Sequence, residues 1–425
     1  MRSFQAACIF PVHSPPVEKG FILTEDDGTI VEVLPPEAHS RLMEMGVPPK
    51  VLDGIIVPGF INTHCHLELS CFRGQISEKK GLAGFVREFV AKRGSFSETE
   101  RSQAITDAEE EMLLNGIVAV GDISNGTDTF LQKAKSNLYY HTFIECFDLH
   151  PSKTEDSFKR ALSLRHDLLQ LCPDAGKQIS IVPHASYSVT PHLLLKICTL
   201  ARENRSILSV HNQESQAENE LFMVGEGSLI DMYRSMGLDF SWFKTGGQSA
   251  LRAVLPFYSG VSKLLLVHNT FTSKEEALWA VEWASQKRGT RAGTIGAEIE
   301  SKTIKEIQQT AIYWATCPRA NLFIENKLPD YSVFSANADA VTLGTDSLAS
   351  NWSLSVLEEL KLILKHDPEL SLDTGIRWAT LNGAKFLGIE SVFGSFEKGK
   401  KPGLVLISHA ERSKLSEASV ARRIL

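Results

Sequence analysis

Pro58-Gly59-Phe60-Ile61-Asn62-Thr63-His64-Cys65-His66-Leu67-Glu68-Leu69-Ser70 follows the apolar run from Gly54 to Val57 and reads as the end of a buried strand entering a polar loop. Residues two apart on a strand point to the same side, so His64 and His66 project together while Cys65 faces away. Two imidazoles on one face supply half of a metal site. They read equally well as a pair of hydrogen-bonded, partly buried histidines. What decides between the readings is what the rest of the chain places at the ends of its other strands.

Outward from this stretch, apolar strand-like runs alternate with helical ones. Ile55 to Thr63 is followed by Gly116 to Ser124, Tyr139 to Leu149, Ile179 to Val189, Ile207 to Ser215, Lys263 to Phe271, Ala311 to Asn321 and Ala338 to Leu348, which makes eight candidate strands. Helical stretches fill the gaps at Glu98 to Asn115, Lys159 to Cys172, Pro191 to Asn204, Lys274 to Gln286 and Leu354 to His366. This alternation predicts an α/β fold, a (β/α)8 TIM-type barrel over residues 58–395, with catalytic groups at the C-terminal strand ends. Short β-leaning pieces before residue 57, and Leu404-Val405-Leu406-Ile407 near the other end, predict a small antiparallel β domain, a β-sandwich, built from 1–57 and 396–425. The segment Asn219 to Gly247 is longer than a usual βα loop and reads either as a substrate-covering segment or as a peripheral helix.

The chain has 425 residues, 43% apolar and 22% charged, an ordinary globular balance that leaves room for a barrel with a smaller attached domain. A net charge of -7 without a Lys/Arg stripe excludes a nucleic-acid partner. The seven cysteines are odd in number and contain no Cys-x-x-Cys pair, which fits a reducing cytoplasm. No signal-like segment opens the chain and no run is long enough to cross a bilayer, so a cytoplasmic protein without a membrane partner is expected.

Polar residues fall where the barrel rule asks for them. His64 and His66 end the first strand, His184 the fourth, His211 the fifth, His268 the sixth and Asp346 the eighth. His64, His66, His211 and Asp346 offer three nitrogens and a carboxylate, a donor set that suits zinc and that iron or manganese would also accept. The fourth strand end has no lysine to carry a bridging carboxylate, so one divalent metal is expected rather than two. In His211-Asn212-Gln213-Glu214, the turn after His211 would bring Glu214 beside the metal as a proton-transfer group; a solvent-facing loop acid is the competing reading. His268 closes the apolar run Leu264-Leu265-Leu266-Val267, where an unbonded histidine would be costly, and would orient the nucleophile or stabilise charge. Asp346 also reads as a cap for the helix predicted from Leu354.

With these residues the sequence resembles the amidohydrolase superfamily, in its branch of single-metal aminohydrolases that deaminate purines, pyrimidines and related compounds. The likeness runs through Pro58 to His66, Pro183-His184-Ala185-Ser186-Tyr187-Ser188, His211 to Glu214, Val267-His268-Asn269, Cys317-Pro318-Arg319-Ala320-Asn321 and Gly344-Thr345-Asp346-Ser347. It implies that His64, His66, His211 and Asp346 bind the metal, that Glu214 shuttles protons, and that His268 assists the nucleophile. Asp346 would share the proton of the attacking water, and His184 would contact substrate. The implied reaction is attack of metal-bound hydroxide on a ring carbon bearing an exocyclic amine, with loss of ammonia. A finer likeness, carried by His66 to Ser70, Ser249 to Pro256 and Leu322 to Asp330, is to aminodeoxyfutalosine deaminases of menaquinone biosynthesis. Cys71-Phe72-Arg73-Gly74 looks like its counterpart in methylthioadenosine and adenosylhomocysteine deaminases. Glu68 replaces the glutamine common in guanine- and cytosine-type enzymes; it would accept from a ring nitrogen or ribose hydroxyl, or pair with Arg73. Glu68, Arg73 and His184 are therefore the candidate substrate contacts, for a small molecule bound by a protein that would pair as a homodimer through outer helices. Hydrolysis of a cyclic amide or a chloro-substituted ring would use the same metal. A non-catalytic scaffold would not need Glu214.

Overall fold

The computed structural model describes residues 1–286 and 309–425, apart from the side chains of residues 335 and 336. The eight barrel strands are β1 (Phe60–Cys65), β2 (Ile117–Ser124), β3 (Tyr139–Cys146), β4 (Ile179–Pro183), β5 (Ile207–Asn212), β6 (Lys263–His268), β7 (Ala311–Thr316) and β8 (Val341–Leu343). They form two parallel four-stranded sheets, β1 to β4 and β5 to β8, each in sequence order. Single parallel bridges, Cys65 to Asp346 and Ala185 to His211, join the two sheets at both seams. Each strand thus has two neighbours and the ring closes as a TIM barrel. Covered by helices outside and side chains inside, such strands read as unbroken apolar runs, and Leu264, Leu265, Leu266 and Val267 of β6 are all fully buried.

The predicted run Ile55 to Thr63 is two strands. Ile55–Pro58 pairs antiparallel with Leu404–Ile407, whereas Phe60–Cys65 enters the barrel. The break falls at Gly59, where a Cβ would stand 2.3 Å from Val118 Cγ1 and 2.6 Å from the Pro402 carbonyl oxygen. Beside the barrel lies a five-stranded sheet in the order Lys414–Arg423, Leu404–Glu411, Ile55–Pro58, Cys8–Ile9, Val17–Glu18. A four-stranded sheet comes from the N-terminal part alone, in the order Ile30–Leu34, Phe21–Thr24, Arg2–Gln5, Lys50–Val51. Both sheets are mixed rather than antiparallel throughout, because Cys8–Ile9 and Arg2–Gln5 each have one parallel partner. Phe4, Ile9, Ile22, Ile56, Phe396 and Leu406 form an apolar cluster drawn from both sheets and both chain ends.

After β5, Gln216–Val224 and Ser228–Ser235 are helices. Phe222, Tyr233, Phe240, Trp242 and Phe243 then lock the segment together through ring contacts of 4.6 to 5.9 Å. Trp242 Nε1 donates to the Leu149 carbonyl and the Tyr233 hydroxyl to the Tyr187 carbonyl, so the segment rests on the loops after β3 and β4. Among the described residues, no helix is long and apolar enough to cross a membrane.

Candidate active site

β1 delivers His64, and His66 opens the turn that follows. Their rings stand 4.9 Å apart and nearly perpendicular, with the two Nε2 atoms 3.2 Å from each other. Asp346 reaches them through the barrel seam, where the His64 carbonyl accepts from Thr345 N at 3.1 Å and Asp346 N at 3.0 Å. Asp346 Oδ1 lies 3.5 Å from His64 Nε2 and 3.4 Å from His66 Nε2, and the Ser350 hydroxyl donates to its other oxygen. The helix Val356–His366 is capped by Ser355, which leaves the Asp346 carboxylate to the cluster.

The last residues of β5 and β6 bring the other imidazoles. His211 Nδ1 lies 2.7 Å from the His184 carbonyl oxygen, which can only accept, so that nitrogen carries the proton and Nε2 keeps its lone pair. His268 Nδ1 is fixed in the same way by Asn321 Oδ1 at 2.9 Å. The two rings are nearly parallel, with centroids 5.3 Å apart. One donor atom each from His64, His211, His268 and Asp346 lies within 4.8 Å of the others, and all four residues are buried. Of the predicted ligands, His64, His211 and Asp346 fall in this group, with His268 in the fourth place; His66 is not among the four, although its Nε2 is 3.2 Å from His64 Nε2 and 3.4 Å from Asp346 Oδ1. Burial, working against the Asp346 charge, pushes His66 down to about 3 and His268 to about 4; burial, followed by the neighbouring imidazoles, holds His211 well below the usual value. Burial pushes the Asp346 carboxyl up, but the His64 hydrogen bond and the attraction of the His66 and His268 rings outweigh it and hold Asp346 well below the carboxylate range. Imidazole nitrogens around an ionised carboxylate form a donor set that fits a divalent cation.

Glu214 is buried, with Oε1 3.7 Å from His268 Nε2. Burial, followed by the Asp346 charge, raises its carboxyl well above the usual value. Its position depends on a left-handed residue before it, Gln213 at φ 45°, and β6 and β8 lead into similar turns at His268 (φ 72°) and Asp346 (φ 56°). Such conformations cost energy in non-glycine residues and persist where surrounding bonds over-determine them. Glu218 accepts from Glu214 N at 3.2 Å. The Gln213 side chain donates to Glu276 at 3.1 Å and accepts from Thr272 at 2.7 Å.

On the β1 to β4 side, Glu68 is buried and accepts from Asn125 N and Nδ2 at 2.9 to 3.1 Å. Burial pushes it up to about 7, against the pull of those bonds. It does not pair with Arg73. The turn Leu67–Phe72 carries that guanidinium outward, where it is half exposed and bonds Glu111 on the helix Glu98–Leu114, apart from the buried cluster. His184 Nδ1 stands 2.6 Å from Ser188 Oγ, and the ring is 4.8 Å from that of His211. Sequence reasoning passed over Glu145, whose Oε2 accepts from Asn125 at 2.8 Å and whose Oε1 lies 3.8 Å from His211 Nδ1. Its signal was an acid at the end of an apolar strand, the position that singled out the histidines. Asn321 lay in plain view as the last residue of Cys317-Pro318-Arg319-Ala320-Asn321.

The sequence profile of the amidohydrolase family matches residues 55–424. An adenosine deaminase of Helicobacter pylori is 27% identical over 363 residues, 85% of this chain and 80% of that protein. A 5-methylthioadenosine/S-adenosylhomocysteine deaminase of Saccharophagus degradans is 22% identical over 401 residues, 90% of this chain and 77% of its own. Among solved structures, Helicobacter pylori aminofutalosine deaminase in complex with methylthio-coformycin superposes with a TM-score of 0.75 at 21% identity, covering 100% of both chains.

Proposed function

The chain belongs to the amidohydrolase family and is a hydrolase of carbon–nitrogen bonds other than peptide bonds; on that premise we propose that it deaminates an adenine-type nucleoside, with aminodeoxyfutalosine of menaquinone biosynthesis as the substrate. The observation that carries the reading is Glu214, a buried carboxyl raised in pKa beside a cluster of imidazoles. His64, His66, His211 and Asp346 would hold one divalent ion, zinc by the preference of imidazole and carboxylate donors. When bound, the ion supplies the Lewis acidity that makes water nucleophilic near neutral pH.

The chain's own groups do the rest. Glu214 Oε1 takes one proton from the attacking water and gives it to a ring nitrogen; the second proton of that oxygen, shared with Asp346, passes to the exocyclic amine, which leaves as ammonia as the C=O bond forms and the C–N bond breaks. His268, its Nδ1 tied to Asn321, keeps Nε2 turned toward the cluster, where it orients the attacking oxygen. Asp346 shares the proton of that water. Glu68, held by Asn125, accepts from a ribose hydroxyl or ring nitrogen, and His184 closes the same side. The similar relatives named for methylthioadenosine and adenosylhomocysteine support a second reading, in which the same chemistry acts on a nucleoside with a sulfur-bearing 5′ substituent. The two small sheets are read as one β-sandwich domain, 1–57 with 396–425, beside a barrel unit of 58–395; their shared apolar cluster supports this.

The test is ammonia release by the purified, metal-analysed chain from aminodeoxyfutalosine, adenosine, methylthioadenosine, adenosylhomocysteine, guanine and cytosine. Turnover of an adenine nucleoside that disappears in Glu214→Gln is expected. Silence on the whole panel with metal bound would overturn the nucleoside assignment and point to cyclic amides.

A further inference from the structure

The chemistry above leaves unused a cavity between the loops of the five-stranded sheet and the helix Leu372–Ala379, which shares no residue with the rim cluster. It encloses about 370 Å³, within the range of small-molecule sites. Phe10, Pro15, Pro16 and Ile376 give it apolar walls. Its charged and titratable groups are Arg377, Arg412, His13 and Asp373. Arg412 donates to Asp373 at 2.9 Å and lies over the Phe10 ring at 5.2 Å, so the one carboxylate already has its cation. Arg377 is half-buried, and among the described residues its guanidinium has no hydrogen-bond or ion-pair partner. Val12, on the same wall, sits at φ 73°, a conformation that a β-branched residue adopts only under constraint.

We propose that this cavity binds a small organic oxyanion on a flat apolar body, with Arg377 and the free edge of Arg412 taking the anion and Phe10, Pro15 and Pro16 the body. A planar guanidinium without an acceptor is suited to a two-pronged grip on carboxylate or phosphate. Isothermal titration of the full chain with phenyl phosphate, benzoate and inorganic phosphate tests this and separates the two oxyanions. Saturable binding of phenyl phosphate or benzoate is expected, tighter than that of inorganic phosphate. Arg377→Gln should weaken it about tenfold or more, and Arg377→Lys less, since one charge-assisted bond is of that order. Ser14→Trp, at an exposed loop position on the cavity wall, should block binding without changing charge; it decides alone if Arg377→Gln does not fold. Absence of saturable binding by any probe overturns the proposal. Binding unchanged in Ser14→Trp overturns it too, since the probe then sits elsewhere, on the rim cluster included.

Discussion

The two halves of the barrel build their share of the rim differently. In β1 to β4, His64 is placed by strand alternation and the acceptors Glu68 and Glu145 are gathered by one asparagine, Asn125. In β5 to β8, the chain leaves the strand direction at left-handed residues, Gln213, His268 and Asp346, each at or beside a residue given a chemical role in the proposed function. Each of these turns is held from outside: Gln213 by Glu276 and Thr272, His268 by Asn321, and the backbone before Asp346 by Asn351, which donates to the Thr345 carbonyl at 2.8 Å. On the proposed function, the difference teaches that the first half gathers its substrate acceptors through hydrogen bonds to one side chain, while the second aims its proposed reacting groups from left-handed turns. Changes in the second half should therefore lower kcat, and changes at the acceptors of the first half should raise KM.

Metal removal reaches both halves at once. Chelation should abolish ammonia release, zinc should restore it, and the melting temperature should fall in the apo protein, because binding to the native state alone stabilises it. Full activity after verified metal loss would sink the site. Next in size is Glu214→Gln, for which kcat should fall by roughly 10²- to 10⁴-fold with metal content unchanged. Asn321→Ala frees the His268 ring and should cost about 10- to 100-fold in turnover or metal affinity; a pure KM effect would erase the contrast between the halves. Glu68→Gln should raise KM about tenfold with kcat nearly intact, and a kcat loss as large as that of Glu214→Gln would show both halves sharing the chemistry.

The smallest effect concerns Glu359, on the helix after β8, which accepts from Arg319 N at 2.8 Å and Asn351 at 2.7 Å. Burial pushes its carboxyl up to about 8 from its ordinary value of 4.5, against those bonds. The folded chain then holds a proton that the unfolded chain releases, so stability falls as pH rises between those two values. Glu359→Gln removes that slope, and its melting temperature should gain on the parent's from about pH 5 to about pH 8. An unchanged difference across the range would show that Glu359 does not hold the proton.

Much of this was legible locally. Apolar runs and alternation are properties of short windows; seven of the eight strands fall within the runs that the sequence marks, and the first, Phe60–Cys65, overlaps its run and continues two residues beyond it. Ends are too long at Gln213, His268 and Asp346, and one run crosses the break at Gly59, since residue periodicity does not mark where a non-glycine residue takes up a left-handed φ or where a strand changes sheets. The residues His64, His66, His184, His211, Glu214, His268 and Asp346 were legible because the barrel rule converts position along a strand into position on the rim. Arg73 shows the limit, because the path of the turn Leu67–Phe72 decides that it faces Glu111 rather than Glu68.

The sequence by itself determined the strand order and which polar side chains stand at the strand ends, because both follow from period and adjacency along the chain. Only the tertiary structure decided which nitrogen of His211 and of His268 is free, that Glu145 joins the rim, and that Asp346 meets His64 and His66. Those outcomes depend on closure of the ring, where Asn62 donates to Thr345 Oγ1 at 2.7 Å and accepts from its backbone amide at 3.1 Å across 283 residues of sequence. No local pattern encodes a contact of that separation; it forms because eight twisted strands have no free edge once the first meets the last.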